Sequence, residues 1–292
     1  MKKGLTVGPI QISLSFSMLA ILRWCIVIVL VVAETELEEM AGLLNAWNAT
    51  AETPPNATCF VSVDGQPGGG SPLVQKARKF SSVSVSRLEA TYALAKAALR
   101  VPGDFVETGL FTGGSASVMI GVLASFDSCN RTFYGFDSFQ GFPDPSDEDH
   151  AGISNHGTRG QFIAKRSEFE ANLASVGINV NDTRLIRISQ GWFNDTCPTA
   201  PIETISFLRM DGDLFVSTWD ALAALYPKVS PGGLIYVDDV GSFNGCRHAV
   251  NKYRTLHKIW EPMHFVREEK GPRQRKMVFE AVWWRKRGLR DG

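Results

Sequence analysis

A chain of 292 residues, 44% apolar and 21% charged, has the composition of an ordinary globular protein with room for one large α/β domain plus an appendage. Thirty basic residues balance thirty acidic ones, so no global charge draws the chain to nucleic acid or to an acidic partner. The basic C-terminal run "WWRKRGLR" reads as a solvated tail.

The first 33 residues stand apart. Two lysines lead an apolar stretch from Ile10 to Ala33, and acids follow. A run of roughly 20 apolar residues suits a membrane helix, although Arg23 inside it costs about 2.5–3.5 kcal/mol on insertion scales. A signal peptide fits as well, with Trp24 to Leu30 as its apolar region and "VVA" as a cleavage site. A buried core helix is the third reading. The order of charges places the remaining chain on the non-cytoplasmic side. The expected location is therefore membrane-anchored or secretory, with the cytoplasm as the alternative. Five of eleven asparagines lie in N-x-S/T sequons, Asn48, Asn56, Asn130, Asn181 and Asn194, which points to a glycosylated surface. Cys59, Cys129, Cys197 and Cys246 permit disulfides and lack zinc spacing.

Residues 34–80 contain "AETPPNAT" and "DGQPGGGSP" and read as a flexible linker. The folded body is expected over 81–292. Leu88, Tyr92, Ala95 and Leu99 recur at helical spacing, and Pro102-Gly103 stops that helix. Strands and helices then alternate: strand "DFVETG", helix "SASVMIGVLASF", strand "TFYGFD", helix "RSEFEANLASVG", strand "RLIRIS", strand "ISFLRM" and helix "TWDALAALYPKV". After the turn "SPGG" come strand "GLIYVDD", helix "CRHAVNKYRTLHK" and two closing strands, "EPMHFVR" and "KMVFEAVWW". This alternation predicts an α/β fold whose sheet is mostly parallel, with helices on both faces. A C-terminal antiparallel hairpin suits a Rossmann-like methyltransferase sheet better than a dehydrogenase sheet.

Ligands of open parallel sheets bind outside the carboxyl ends of the strands. The first strand runs into "ETGLFTGGS", where Glu107, Thr108, Gly109, Gly113 and Ser115 form a glycine-rich turn into a helix N-terminus, a place for a cofactor. Asp137, with Ser138 beside it, ends the second strand, and a carboxylate there can accept from both hydroxyls of a ribose. The third strand leads into Gln190, Gly191 and Trp192, an amide and an aromatic plane suited to an adenine edge and face. Asp211 and Asp213 follow the fourth strand, and Asp238 and Asp239 end the fifth. Converging carboxylates of this kind repel unless a cation or a proton intervenes, and an oxygen-rich cluster suits Mg²⁺. Asp213 alone also reads as a cap for the next helix.

The blocks "VPGDFVETGLFTGGSASVM", "YGFDSFQGFPDP", "GCRHAV" and the long run from "GWFNDTCPTAPIETISFLRMDGDLF" to "IYVDD" together resemble the macrocin-type sugar O-methyltransferases, over roughly residues 85 to 286. The resemblance implies S-adenosylmethionine and Mg²⁺ as cofactors and a sugar hydroxyl as the methyl acceptor. It implies Asp211, Asp238 and Asp239 as metal ligands, with Asp211 in the catalytic set. Glu107 and the turn through Gly109 would hold the methionine end of the cofactor, and Asp137 with Ser138 its ribose. His156 in "SNHGTRG" matches the family's general base, with His150 as competitor. The implied partner is a small-molecule or glycoside acceptor; the N-terminal segment separately suggests the membrane, and a homo-oligomer is left open, as the sequence does not fix the oligomeric state.

Two rival readings exist. An NAD(P)-dependent oxidoreductase would need G-x-G-x-x-G and an acid about 20 residues on; the turn here differs, and Asp137 lies 30 residues beyond Glu107. A membrane-anchored protein that keeps the fold without activity is the other.

Overall fold

The computed structural model describes residues 71–127, 131–150, 157–269 and 277–287. All of them belong to the second of two units, Glu52–Gly292. The apolar segment 1–33 lies outside the described residues, as do Cys59, Cys129 and the sequons at Asn48, Asn56 and Asn130.

Seven strands form one sheet in the order β3-β2-β1-β4-β5-β7-β6. They are β1 (Asp104–Thr108), β2 (Phe133–Asp137), β3 (Ile186–Gln190), β4 (Ile205–Met210), β5 (Val229–Val237), β6 (His264–Glu269) and β7 (Met277–Arg285). The first five run parallel, and β7 is antiparallel to both β5 and β6. This is the Rossmann-like methyltransferase sheet with its C-terminal antiparallel hairpin. All six residues of β4 are buried, as a central strand covered on both faces requires.

Helices cover the two faces. On one lie α1 (Pro72–Ala77), α2 (Val85–Ala98), α3 (Gly114–Phe126) and α4 (Arg166–Ser175). Helix α3 is apolar on every side because α1 and α2 cover what would be its solvent face. Gly121 permits that layer, since a Cβ there would meet Leu73 Cδ2 at 2.5 Å. The expected linker therefore stops short of residue 80: Val74 and Ala77 are fully buried beside Leu88 and Val118.

The short α5 (Phe193–Thr196), with α6 (Phe215–Leu225) and α7 (Asn244–Leu256), belongs to the other face. Helix α6 ends in a 3-10 turn at Tyr226–Lys228, because Pro227 has no N–H with which to continue it. "SPGG" lies inside β5 rather than forming a turn before it. Trp283 and Trp284 are buried in β7, so the solvated tail does not begin at the tryptophans.

Strand register decides where the chemistry can sit. Phe136, Thr108, Met210 and Val237 are successive Cα partners across β2, β1, β4 and β5. One residue further on, Asp137, Gly109, Asp211 and Asp238 form the next row, with Gln190 opposite Asp137 on β3. Gly109 adopts φ +84, and a Cβ there would meet the Asp211 carbonyl oxygen at 1.8 Å. Gly109→Ala is expected to cost about 1–3 kcal/mol from the left-handed backbone alone, with the backbone clash adding to it. A lowered midpoint in urea unfolding would register this, and an unchanged midpoint would refute it.

Candidate active site

Above that row opens a cavity of about 330 Å³, a size suited to a small-molecule ligand. Gly109, Asp137, Ser138, Trp192, Asp211 and Asp239 all line it, as do Arg87 and Asp213. Phe111, Asp213 and Asp239 adopt left-handed φ values of 47, 57 and 55 without being glycine. Such backbone costs free energy and concentrates at functional sites.

The β1 side of the cavity is built around two carboxyl groups. Asp137 Oδ2 accepts from the N–H groups of Leu110 and Phe111 at 2.7 and 3.0 Å, and Oδ1 accepts from Phe139 at 2.7 Å. Its carboxylate thus holds the glycine-rich turn in shape. Burial raises its pKa, and the three N–H donors oppose the rise. Glu107 is fully buried behind the wall; its Oε1 accepts from Arg209 Nη1 at 2.8 Å, while Oε2 has no hydrogen-bond partner. Burial pushes the Glu107 carboxyl up to about 7, against the pull of the Arg209 charge and of the nearby Ser115 hydroxyl. A buried carboxylate oxygen left open beneath the turn fits the ammonium end of an amino-acid-like ligand, which has only donors to offer.

Other expected cofactor residues support the turn without lining the cavity. Gly113, at φ +93, packs against α4, where a Cβ would meet Leu173 Cδ1 at 2.5 Å. Thr108 and Ser115 are buried. Gly191 donates to the Asp137 carbonyl at 2.9 Å. Gln190 is exposed at the end of edge strand β3, outside the cavity wall.

At the β4 and β5 tips, carboxylate oxygens of Asp211, Asp213 and Asp239 lie within 4.8 Å of one another. This set differs from the expected Asp211, Asp238 and Asp239. Both Asp238 oxygens are taken, Oδ1 by Arg87 Nη1 at 2.7 Å and Oδ2 by a very short bond to Arg209 Nη2. The left-handed turn at Asp213 brings its side chain into the place left open. Burial, then the charge of Asp211, pushes the Asp213 carboxyl up to about 8. Burial, then Asp238 and Asp211, pushes Asp239 up to about 11. Fully ionised, these carboxyl groups would outnumber the two arginines beside them, so they keep protons or take up a cation, and hard carboxylate oxygens at this spacing fit a divalent cation such as Mg²⁺.

An aromatic wall faces the acids. Phe142 packs edge-on against Phe162 at 5.3 Å and Phe243 at 5.9 Å, and Phe111 meets Phe162 at 6.0 Å. The segment carrying Phe142 is tied to α6 by buried Asp149, which accepts from the Phe215 N–H at 2.8 Å and from the N–H and hydroxyl of Ser146 at 2.8 Å each. His156 lies outside the described residues, and His150 is exposed away from the cavity. Among the described residues no histidine lines the cavity.

Sequence reasoning missed the two arginines and the aromatic wall. Arg209 had a signal, a lone charge inside the apolar run "ISFLRM". Arg87 had none, because it meets Asp238 from 151 residues away.

Residues 79–286 match the macrocin-O-methyltransferase (TylF) family. The chain belongs to this family. Macrocin O-methyltransferase relatives include the demethyldecarbamoylnovobiocin O-methyltransferase of Streptomyces niveus, 43% identical over 162 residues, which are 54% of this chain and 61% of that protein. The chain thus spans less than two thirds of that relative's length. The mycinamicin III 3''-O-methyltransferase of Micromonospora griseorubida is 39% identical over 186 residues, 61% of this chain and 71% of the relative. The solved O-methyltransferase NovP superposes with a TM-score of 0.60 at 34% identity, over 72% of this chain and 83% of NovP. The calicheamicin methyltransferase CalS11, at 21% identity and a TM-score of 0.55 over 77% of this chain and 99% of its own, shares the fold.

These matches remove the oxidoreductase reading and correct the membrane-anchored or secretory location. Among the described residues no helix is long and apolar enough to cross a membrane. The relatives are named as small-molecule O-methyltransferases from bacteria. Asn194 sits on the cavity wall, where a glycan would obstruct the site, and Cys197 and Cys246 are buried free thiols.

Proposed function

We propose that this chain transfers a methyl group from S-adenosylmethionine to a hydroxyl of a sugar or other diol-bearing small molecule, with Mg²⁺ at the acid cluster. One observation carries the reading: the carboxyl ends of β1, β4 and β5 bring an open Glu107 oxygen, a tight glycine turn and three converging carboxylates to the floor of one cavity. The names of the relatives support the acceptor class, since they are O-methyltransferases of mycinamicin III, of demethyldecarbamoylnovobiocin and of a rhamnosyl tetracenomycin C.

The sulfonium of the methyl donor supplies an electrophilic carbon. Glu107 and the turn from Gly109 to Gly113 would bind its amino-acid end, Asp137 and Ser138 its ribose, and Trp192 its base. Asp211, Asp213 and Asp239 would hold Mg²⁺, with Asp238 supporting them through its arginines. Held there, the ion would supply Lewis acidity that lowers the pKa of an acceptor hydroxyl and orients it. The aromatic wall of Phe111, Phe142 and Phe162 excludes water and packs an apolar part of the acceptor. Asp211 lines the cavity as a carboxylate able to take the hydroxyl proton, and His156, outside the described residues, is the base that the family resemblance implies.

The test is transfer of a labelled methyl group from S-adenosylmethionine to glycosides with and without a vicinal diol. Mg²⁺-dependent labelling of the diol glycosides is expected. Full labelling in excess chelator would refute the metal role, and no calorimetric heat with S-adenosylhomocysteine would refute the reading as a whole.

A further inference from the structure

The geometry points to Arg87 as a cation built into the acid cluster, which holds Asp238 and Asp239 in competition with a divalent ion and so sets how tightly that ion binds. This rests on the metal reading above. Arg87 stands in the first turn of α2, where its own N–H is accepted by Ser84 Oγ at 3.3 Å. Its Nη1 reaches across the cavity wall to Asp238 Oδ1 at 2.7 Å and Asp239 Oδ1 at 3.2 Å. The guanidinium therefore contacts an oxygen of one of the three clustered carboxylates.

The two arginines of the cluster are not equivalent. Arg209 is wholly enclosed, shared among Glu107, Asp211 and Asp238, with its guanidinium carbon 5.3 Å from the centre of the Tyr236 ring. It is scaffold. Arg87 arrives on a long side chain from a helix outside the sheet, lines the cavity and keeps 13% of its side chain exposed. Swinging it away leaves Asp238 still held by Arg209 and opens Asp239 Oδ1 toward the cavity. Burial opposes its charge, yet Asp238 and Asp239 hold the guanidinium charged, above its ordinary range. A fixed positive charge beside the ligand oxygens disfavours a second cation by Coulomb repulsion, strongly so in an interior that solvent and salt screen poorly.

The experiment is Mn²⁺ titration of the full chain, read as loss of the free-ion electron paramagnetic resonance signal, for wild type, Arg87→Gln and Arg87→Lys. Arg87→Gln is expected to bind Mn²⁺ roughly tenfold tighter or more, within the ordinary range of coupling between two ligands. Arg87→Lys keeps the charge without the fork and should fall between, which preserves the test if the glutamine variant does not fold. Thermal unfolding in chelator should drop for Arg87→Gln, and Mg²⁺ should restore more of its stability than it adds to wild type. A residue that only fastens α2 would lower stability without tightening Mn²⁺ binding. Equal or weaker Mn²⁺ binding by the folded variants overturns the inference and leaves the metal reading standing. Absence of binding to wild type and variants alike overturns both.

Discussion

Asp239→Asn is expected to abolish Mg²⁺-dependent methyl transfer in a protein that stays folded, whereas Asp238→Asn, one residue away, is expected to damage the fold. The difference lies in what each carboxylate touches. Asp239 lies in the three-carboxylate cluster and keeps part of its surface open to the cavity. Burial, with crowding by Asp238, Asp211 and Asp213, already keeps a proton on Asp239 when no ion is bound, so asparagine is tolerated there, but it deletes a ligand oxygen, and metal affinity should fall by at least about 100-fold. Asp238 is fully enclosed and anchors two guanidinium groups, Arg87 through Oδ1 and Arg209 through Oδ2. Uncoupling a buried pair costs about 3–5 kcal/mol, which lowers the unfolding midpoint by roughly 6–20 °C in a domain of this size. Thermal unfolding beside labelled methyl transfer separates the two. An Asp238 variant as stable as wild type, or an Asp239 variant that unfolds, would overturn the assignment of roles.

The pattern that made the fold legible was local. Alternating apolar runs and helical spacings located every strand and the longer helices, and Gly177, at φ +86 just after α4, stops that helix as its sequence implies. Reading only strand ends was enough to find Gly109, Asp137, Asp211 and Asp239, because parallel register carries all the tips to one edge of the sheet. What stayed hidden depends on long-range contact or on backbone turns. Asp213 resembles a helix cap, but Leu214 takes the N-cap position of α6 and the left-handed turn sends Asp213 into the cluster. Asp238 and Asp239 are indistinguishable as letters; only their partners from β4 and α2 give them different work. The sequons misled because the N-x-S/T pattern is blind to tertiary position, and the one at Asn194 falls on the cavity wall.

Arg209→Met is expected to be the most damaging single change in the sheet. Arg209 is the shared counter-charge of Glu107, Asp211 and Asp238, with Nη1 at 2.8 Å from Glu107 and 3.0 Å from Asp211. Methionine fills much of the space but takes the guanidinium from Glu107 and Asp211 and leaves Asp238 with Arg87 alone, in a site where Glu107 and Asp238 are completely enclosed. The cost should reach at least the 3–5 kcal/mol typical of a broken buried pair. Arg209→Lys should rescue little, because a single ammonium cannot match a fork that serves three strands. Glu107→Gln keeps the shape of its side chain and removes one of the three charges, so alone it should cost less. If Arg209 and Glu107 act as a pair, the double variant will fall short of the sum of the singles by roughly 0.5–3 kcal/mol, measured by urea unfolding. Glu107→Gln should also weaken S-adenosylhomocysteine binding in calorimetry, since Oε2 is the buried acceptor left open beneath the turn. Strict additivity in the double variant would mean that Arg209 serves Asp211 and Asp238 alone, and the link from the cofactor end of β1 to the acid cluster would then be lost.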